Sequence, residues 1–384
     1  MKLNSLSGYV ELDREKRALI ESAFPKELFR EEINADLSPS LKYDYVEEYH
    51  LRSPHFDRKL TKICPKCGQK YPDGELFCFK CAATLKDAEI INVKDIEVMH
   101  EFDFKAKNEY GSFTDILTGE NLRKLIDFDF SGDDFSQITK TIKLTALKNL
   151  DTAIKTNKLD IGDLTILEKV ILFTKAFVNV EYKSYGPELG FYRFNTIFVD
   201  DRQLDALQIT TMLHELTHFL IKEILTHMLC MILDASKTSK FESIISFILS
   251  YSAENCLIDE YAAHTVEGRF TLIGYQDYSS FLNIQKTIER SDDEIEMLKT
   301  IGNSLANVVK DILESFIDDE LLRDIKDRFK RDILDEPDYS QLLLENCTLL
   351  NEMGFFKAME FILADGFAAA MDNIEKLNEI NEMW

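Results

Sequence analysis

Two histidines four residues apart, His214 and His218, stand among the apolar residues Leu213, Leu216, Phe219 and Leu220. On an α-helix four residues advance about 400°, so both imidazoles leave the same face about 6 Å apart. Leu213, Leu216, Phe219 and Leu220 make that helix apolar enough to be buried. Two imidazoles and the Glu215 carboxylate have no reason to sit on a buried helix unless a cation compensates them. The spacing suits two nitrogens on one Zn²⁺, with Glu215 placed to act as a general base toward water. Only 14 glycines and 7 prolines occur in 384 residues, so long helices with few breaks are expected. The 45% of apolar residues is ample for packed cores and excludes a disordered chain.

The flanking sequence predicts how such a helix is held. Residues 178–200, with VNVEYKSY and then GFYRFNTIFVDD, read as strands separated by a turn at Gly186 and Pro187. Asp200 or Asp201 is then expected to cap a helix that starts near Leu204 and runs through HELTH to about Leu233. A second helix is expected over 240–270. Upstream, 135–178 reads as helical, with Leu144, Leu147 and Leu150 on one face and Leu167, Val170 and Ile171 on another. A helix is expected near 13–23.

A third metal ligand must come from elsewhere. The pattern HExxHxxGxxH is absent, because positions 221 and 224 are Ile221 and Ile224. His227 lies nine residues past His218, about 900° round, and reads as a structural histidine on the opposite face. Downstream, SAENCLIDEYAAHTVEGRF offers Glu254, Asp259, Glu260, His264 and Glu267. Glu260 is favoured, because the small Ala262 and Ala263 allow its helix to approach the HELTH helix closely. Glu254 is the rival ligand and His264 a lesser one. His264, one turn past Glu260, can partner a ligand or donate to a transition state. Tyr182, Tyr185, Tyr192, Tyr251 and Tyr261 are candidate oxyanion donors, each also readable as a packing tyrosine.

The pairing of HELTH with DEYAAH resembles the gluzincin class of zinc metallopeptidases, especially the compact ImmA/IrrE-like group, over residues 186–270. The resemblance implies a zincin-like fold in which His214, His218 and Glu260 hold the catalytic Zn²⁺ and Glu215 is the base. His264 stands where the class usually has Asp.

A second metal signal lies upstream. In ICPKCGQKYPDGELFCFKCAATL, Cys64, Cys67, Cys78 and Cys81 form two CxxC pairs, each able to grip a tetrahedral metal from one tight turn, with Gly68 just after the first. Four thiolates leave no position for water, so this zinc is structural and folds a module too small to build its own core. The segment 62–85 resembles short zinc-ribbon modules, which implies a docking or architectural role. Iron in the same four-sulfur site is a minor alternative. Cys230, Cys256 and Cys347 sit singly in apolar stretches and read as buried thiols.

The net charge of −24 speaks against binding to a phosphate backbone. The start, MKLNSLSGYVELDREKRALIE, has no apolar core or cleavage site of a signal peptide, and the apolar run 219–235 carries Lys222, Glu223 and His227. A cytoplasmic location with no membrane partner is therefore expected. Residues 127–134 imitate the start of a calcium-binding loop, but Ile138 stands where a bidentate Glu belongs, so the stretch reads as an acidic loop.

The expected fold is α+β, mainly α. It comprises an N-terminal segment (1–60), a zinc ribbon (61–88), a zincin-like metallopeptidase domain (89–275) with a small sheet, and a helical C-terminal region (276–384). The expected function is zinc-dependent hydrolysis of peptide bonds in a protein or peptide substrate, with one catalytic and one structural zinc. The alternatives are a regulatory or binding protein with an occluded site, its partner recruited by the ribbon, and a protease held silent until a signal arrives.

Overall fold

The computed structural model describes residues 29–32, 61–64, 66–67, 70–72, 76–85, 89–100, 108–182, 190–271, 279–332 and 347–384. The helix expected near 13–23, Gly68, Tyr185 and the turn at Gly186 and Pro187 lie outside them. Among the described residues the chain is mostly helical, with 12 α-helices and three small sheets.

Strand β1 (Phe29–Glu32) precedes the cysteine module. There β2 (Thr61–Ile63) is the middle strand between β3 (Lys70–Pro72) and β4 (Glu89–Ile91), antiparallel to both. Cys64, Cys78 and Leu85 make a small core separate from the main one.

Four helices follow: α1 (Phe113–Ile116), α2 (Gly119–Asp127), α3 (Gly132–Asn157) and α4 (Ile166–Phe177). Each begins at a hydroxyl cap, Ser112, Thr118, Ser131 or Thr165, whose oxygen accepts an orphan N–H of the first turn. The helical stretch expected over 135–178 is thus two helices, with Lys158 in the left-handed conformation that ends the first. The inward face of α3 is Ile138, Ile142, Ala146, Asn149 and Ala153. Leu144 and Leu147 face solvent, contrary to expectation. The small Ala146 and Ala153 suit close packing, whereas leucine spacing alone pointed to the wrong side. The calcium-loop imitation is the α2–α3 connection: Asp134 closes the capping box with Ser131, and Asp129 is 2.7 Å from Lys357.

The next segment is a mixed sheet of β5 (Asn179–Tyr182), β6 (Gly190–Arg193) and β7 (Thr196–Val199) in the order β5-β7-β6. β5 runs parallel to β7, and β6 antiparallel to it. A two-residue turn joins β6 to β7 with Phe194 and Asn195 at φ 44° and 54°, the left-handed pair that matches strand twist. β6 is an edge strand, and it lies close to the next helix: a Cβ on Gly190 would stand 2.5 Å from a Thr211 methyl and 2.4 Å from the Phe198 carbonyl oxygen.

That helix is α5 (Asp205–Leu233), which carries HELTH. It is long and apolar enough to cross a bilayer, but 89% of its apolar window is buried against the rest of the chain. Its N-cap is Leu204, with no side-chain cap, rather than Asp200 or Asp201. Asp200 instead forms a fork with Arg202, with Nε to Oδ1 at 2.9 Å and a second guanidinium nitrogen to Oδ2 at 2.6 Å.

The expected helix 240–270 is broken into α6 (Ser239–Ser250) and α7 (Ala253–Phe270). Ser252 between them accepts from the Asn255 N–H and restarts the chain in a direction that lays α7 along α5. Helices α8 (Ser279–Thr287), α9 (Asp292–Leu313) and α10 (Asp319–Asp332) follow, then β8 (Cys347–Leu350), α11 (Glu352–Met371) and α12 (Ile374–Asn381). β8 pairs antiparallel with β1, joining the two ends of the chain. Asp332 of α10 reaches back to the Ala206 N–H at the start of α5, supplying the carboxylate that its own N-cap lacks. α9 packs directly on α7 where Gly302 replaces a side chain; a Cβ there would sit 2.7 Å from the Ile258 carbonyl. One hydrophobic core runs from Val93 to Leu377 and includes residues on both sides of position 275.

Candidate metal centre

Helices α5 and α7 bring three donor atoms together. His214 Nε2 and His218 Nε2 are 3.2 Å apart. Glu260 places Oε2 3.6 Å from the first and Oε1 3.9 Å from the second. An ion with bonds of about 2.0–2.1 Å in tetrahedral geometry needs donors about 3.4 Å apart. The three residues therefore fit one Zn²⁺ with little movement. All three side chains keep some exposure: 15% for His214, 14% for His218 and 23% for Glu260.

The outward ring nitrogens are held as well. His218 Nδ1 lies 2.9 Å from Asp259 Oδ2. His214 Nδ1 and His264 Nδ1 each lie 3.1 Å from the same oxygen, Glu267 Oε2. Nδ1–H groups that donate to carboxylates leave the Nε2 lone pairs free to face inward, the arrangement that orients histidine ligands. Glu260 and Glu267 are seven residues apart, about two turns, so both face α5. Asp259 and Glu267 were read from the sequence only as available carboxylates; the seven-residue spacing was the signal for Glu267.

Charge accumulates here. Four carboxylates, those of Glu215, Asp259, Glu260 and Glu267, face three imidazoles. Burial opposes protonation of His214, yet hydrogen bonds with Glu260 and Glu267 and the charges of Glu215 and Glu267 push its pKa well above the ordinary value. Burial likewise opposes His218, but Asp259 and the Glu260 charge push it up to about 9. Burial raises Glu260, and its hydrogen bond with His214 and the imidazolium charges override this, holding it far below the usual carboxylate range. Such a site draws in positive charge, as protons or as a metal ion. Burial raises the pKa of Glu215 despite the opposing pull of His214, His218 and the Tyr192 backbone N–H.

Other candidates fall elsewhere. Glu254 is gripped by Arg290, with Nε 3.1 Å and a second nitrogen 3.0 Å from Oε1. His227 is 3.7 Å from Glu223 and does not join the cluster. His264 Nε2 stands 3.9 Å from Glu260 Oε2, but His264 is not part of the set of His214, His218 and Glu260 whose donors all lie within 4.8 Å of one another. It belongs to an adjoining group with His214 and Glu267. Among the tyrosines, Tyr192 Oη donates to Asn195 and Tyr251 Oη to Asp365. Tyr182 has its ring under Lys94, and Tyr261 packs against Gly302.

The cysteine module has a second donor set. Cys64 Sγ is 3.5 Å from Cys81 Sγ, and Cys67 Sγ is 3.4 Å from Cys78 Sγ. All four sulfurs lie within 4.8 Å of one another. A tetrahedron of Zn–S bonds near 2.3 Å places sulfurs about 3.8 Å apart. Residues 63–85 match the zinc-ribbon domain family. No curated protein and no solved structure matches the chain. In the zinc ribbon, burial works to raise the Cys64 thiol, and the backbone N–H groups of Lys66 and Cys67 more than offset it. The Ala83 N–H lowers Cys81, while burial and the three neighbouring sulfurs push it up to about 12. Crowded sulfurs of this kind favour a divalent cation over their own protons. The donor set fits one structural zinc.

Proposed function

We propose that the protein is a zinc-dependent metallopeptidase of gluzincin type, acting on protein or peptide substrates in the cytoplasm. The observation that carries this reading is the convergence of His214, His218 and Glu260, with both imidazoles oriented from behind by Asp259 and Glu267. A merely structural pair of core histidines does not call for a third donor and two orienting carboxylates.

These three residues would hold the catalytic zinc, which supplies Lewis-acid chemistry toward water and the peptide carbonyl when bound. Glu215 follows the first histidine on the same helix. Its raised pKa suits a base that takes a proton from the attacking water and returns it to the leaving amine. The edge strand β6 beside α5 offers backbone groups for pairing an extended peptide. His264, held by Glu267 and with Nε2 3.9 Å from Glu260 Oε2, would partner the glutamate ligand. On the zinc ribbon, Leu76, Phe77 and Phe79 stand exposed and are the candidate contact for a protein partner.

The test is hydrolysis of a generic unfolded protein by the zinc-loaded chain. Glu215→Gln should retain its zinc and lose at least 100-fold in rate, as expected for removal of a general base. Equal hydrolysis by wild type and Glu215→Gln would sink the reading.

A further inference from the structure

One turn beyond His218, on the same side of α5, lies Lys222, whose side chain is 2% exposed. Its ammonium faces three rings: Trp384 at 4.1 Å, Tyr192 at 5.1 Å and Phe219 at 5.9 Å from the ring centroids. It donates to Asn195 Oδ1 at 2.7 Å. No carboxylate lies within 4.0 Å of it among the described residues. Burying an ammonium with no carboxylate in contact is costly, and burial lowers the Lys222 pKa to about 8 despite the charges of Glu242 and Glu223; a methionine of similar length would fill the space without that cost. The charge therefore has work to do there, and the partners show what it is.

Asn195 is the second residue of the β6–β7 turn and adopts the left-handed conformation that Asn tolerates well. It receives Lys222 from α5 and the Tyr192 hydroxyl from β6 on one oxygen, and gives its amide to Glu242 of α6 at 3.1 Å. One ammonium thus ties the hairpin tip to the helix that carries His214, Glu215 and His218. Cation–π attraction to three rings holds the ammonium at that point.

We propose that Lys222 is a positioning residue: by holding Asn195 from inside a box of three rings, it fixes the β6–β7 hairpin on α5, the helix that carries Glu215. Its consequence for catalysis rests on the peptidase reading above; its consequence for the hairpin does not.

The experiment uses the full chain with zinc bound, as wild type, Lys222→Met, Asn195→Gly and the double variant. Lys222→Met preserves the buried stem, and Asn195→Gly preserves the turn, so neither depends on the other folding. Backbone amide exchange is followed peptide by peptide, with zinc content and kcat measured in parallel. Exchange over 190–199 should rise about tenfold in each single variant, while α9 stays protected. The double variant should rise no further than Asn195→Gly alone, because the Lys222 contact is already lost there. Zinc content should not change, and kcat should fall about tenfold while KM changes less. Unchanged exchange over 190–199 in both singles overturns the proposal. So does exchange that rises equally through α9 and α11, which would mean general loosening. If wild type shows no hydrolysis, the peptidase reading falls, and the exchange result alone still decides whether Lys222 holds the hairpin.

Discussion

Glu267 accepts from two imidazoles through one oxygen, and Asp259 accepts from a third. These carboxylates decide which nitrogen of each ring is free for a metal. Glu267→Gln and Asp259→Asn should each weaken zinc binding at the HELTH centre by about 10–100-fold, measured by competition with a chromogenic chelator. The histidines also set a pH dependence. His218 in the metal-free protein has its pKa pushed from 6.5 to about 9. Its protonated form therefore stabilises the metal-free fold fully below pH 6.5, and this contribution is lost as pH rises through 9. Zinc must displace that proton. Calorimetry at pH 7 in buffers of different ionisation enthalpy should show at least about one proton released per zinc bound, and affinity should climb with pH up to about 9. No proton release would mean that His218 is not a ligand. At this scale the sequence pointed to His214, His218 and the four cysteines through short spacing on one helix or turn, and to Glu260 only through the small Ala262 and Ala263 beside it. Asp259 and Glu267 escaped assignment because their roles depend on where α7 lies against α5; only the seven-residue spacing from Glu260 marked the face of Glu267.

Helix α7 carries every non-HELTH member of the centre, so its placement matters more than its own stability. Two features hold it: the Ser252 cap, which breaks the chain after α6, and Gly302, which lets α9 lie against the Ile258 carbonyl. Ser252→Ala should lower stability by about 1 kcal/mol. Gly302→Ala drives a methyl into backbone at 2.7 Å, a contact that cannot yield without helix movement. It should cost about 1–3 kcal/mol in thermal or denaturant unfolding and weaken zinc binding as well, because α7 moves. Gly302→Ala with wild-type stability would show that the helix contact is looser than drawn. The break at Ser252 was missed in the sequence, where Ser250 and Ser252 stand between two helical runs and serine is a weak stop. The left-handed turn at Phe194 and Asn195 was missed for a related reason: bulky Phe194 is a poor marker for positive φ. The strands on either side were legible from their β-branched and aromatic residues.

At the scale of the whole molecule, the zinc ribbon has its own small core of Cys64, Cys78 and Leu85, apart from the core that spans Val93 to Leu377 among the described residues. Losing metal from one should leave the other folded. Cys78→Ser should unfold the ribbon, seen as new proteolytic cleavage within 61–88, while the unfolding temperature of the main core stays within a few degrees of wild type. A shared collapse would contradict the separation of the two cores. The helical character was legible from scarce glycine and proline; the closure of the chain by β1 on β8 was not, because four-residue strands far apart in sequence carry no mutual signal.

The most direct test of the central claim is zinc stoichiometry by elemental analysis of the purified full chain and two variants. Wild type should carry about two zinc ions, Glu260→Ala about one, and Cys78→Ser about one, each variant losing a different site. Glu260→Ala that keeps both ions, alongside a Glu254→Ala variant that loses one, would contradict the assignment of the centre on α5 and α7.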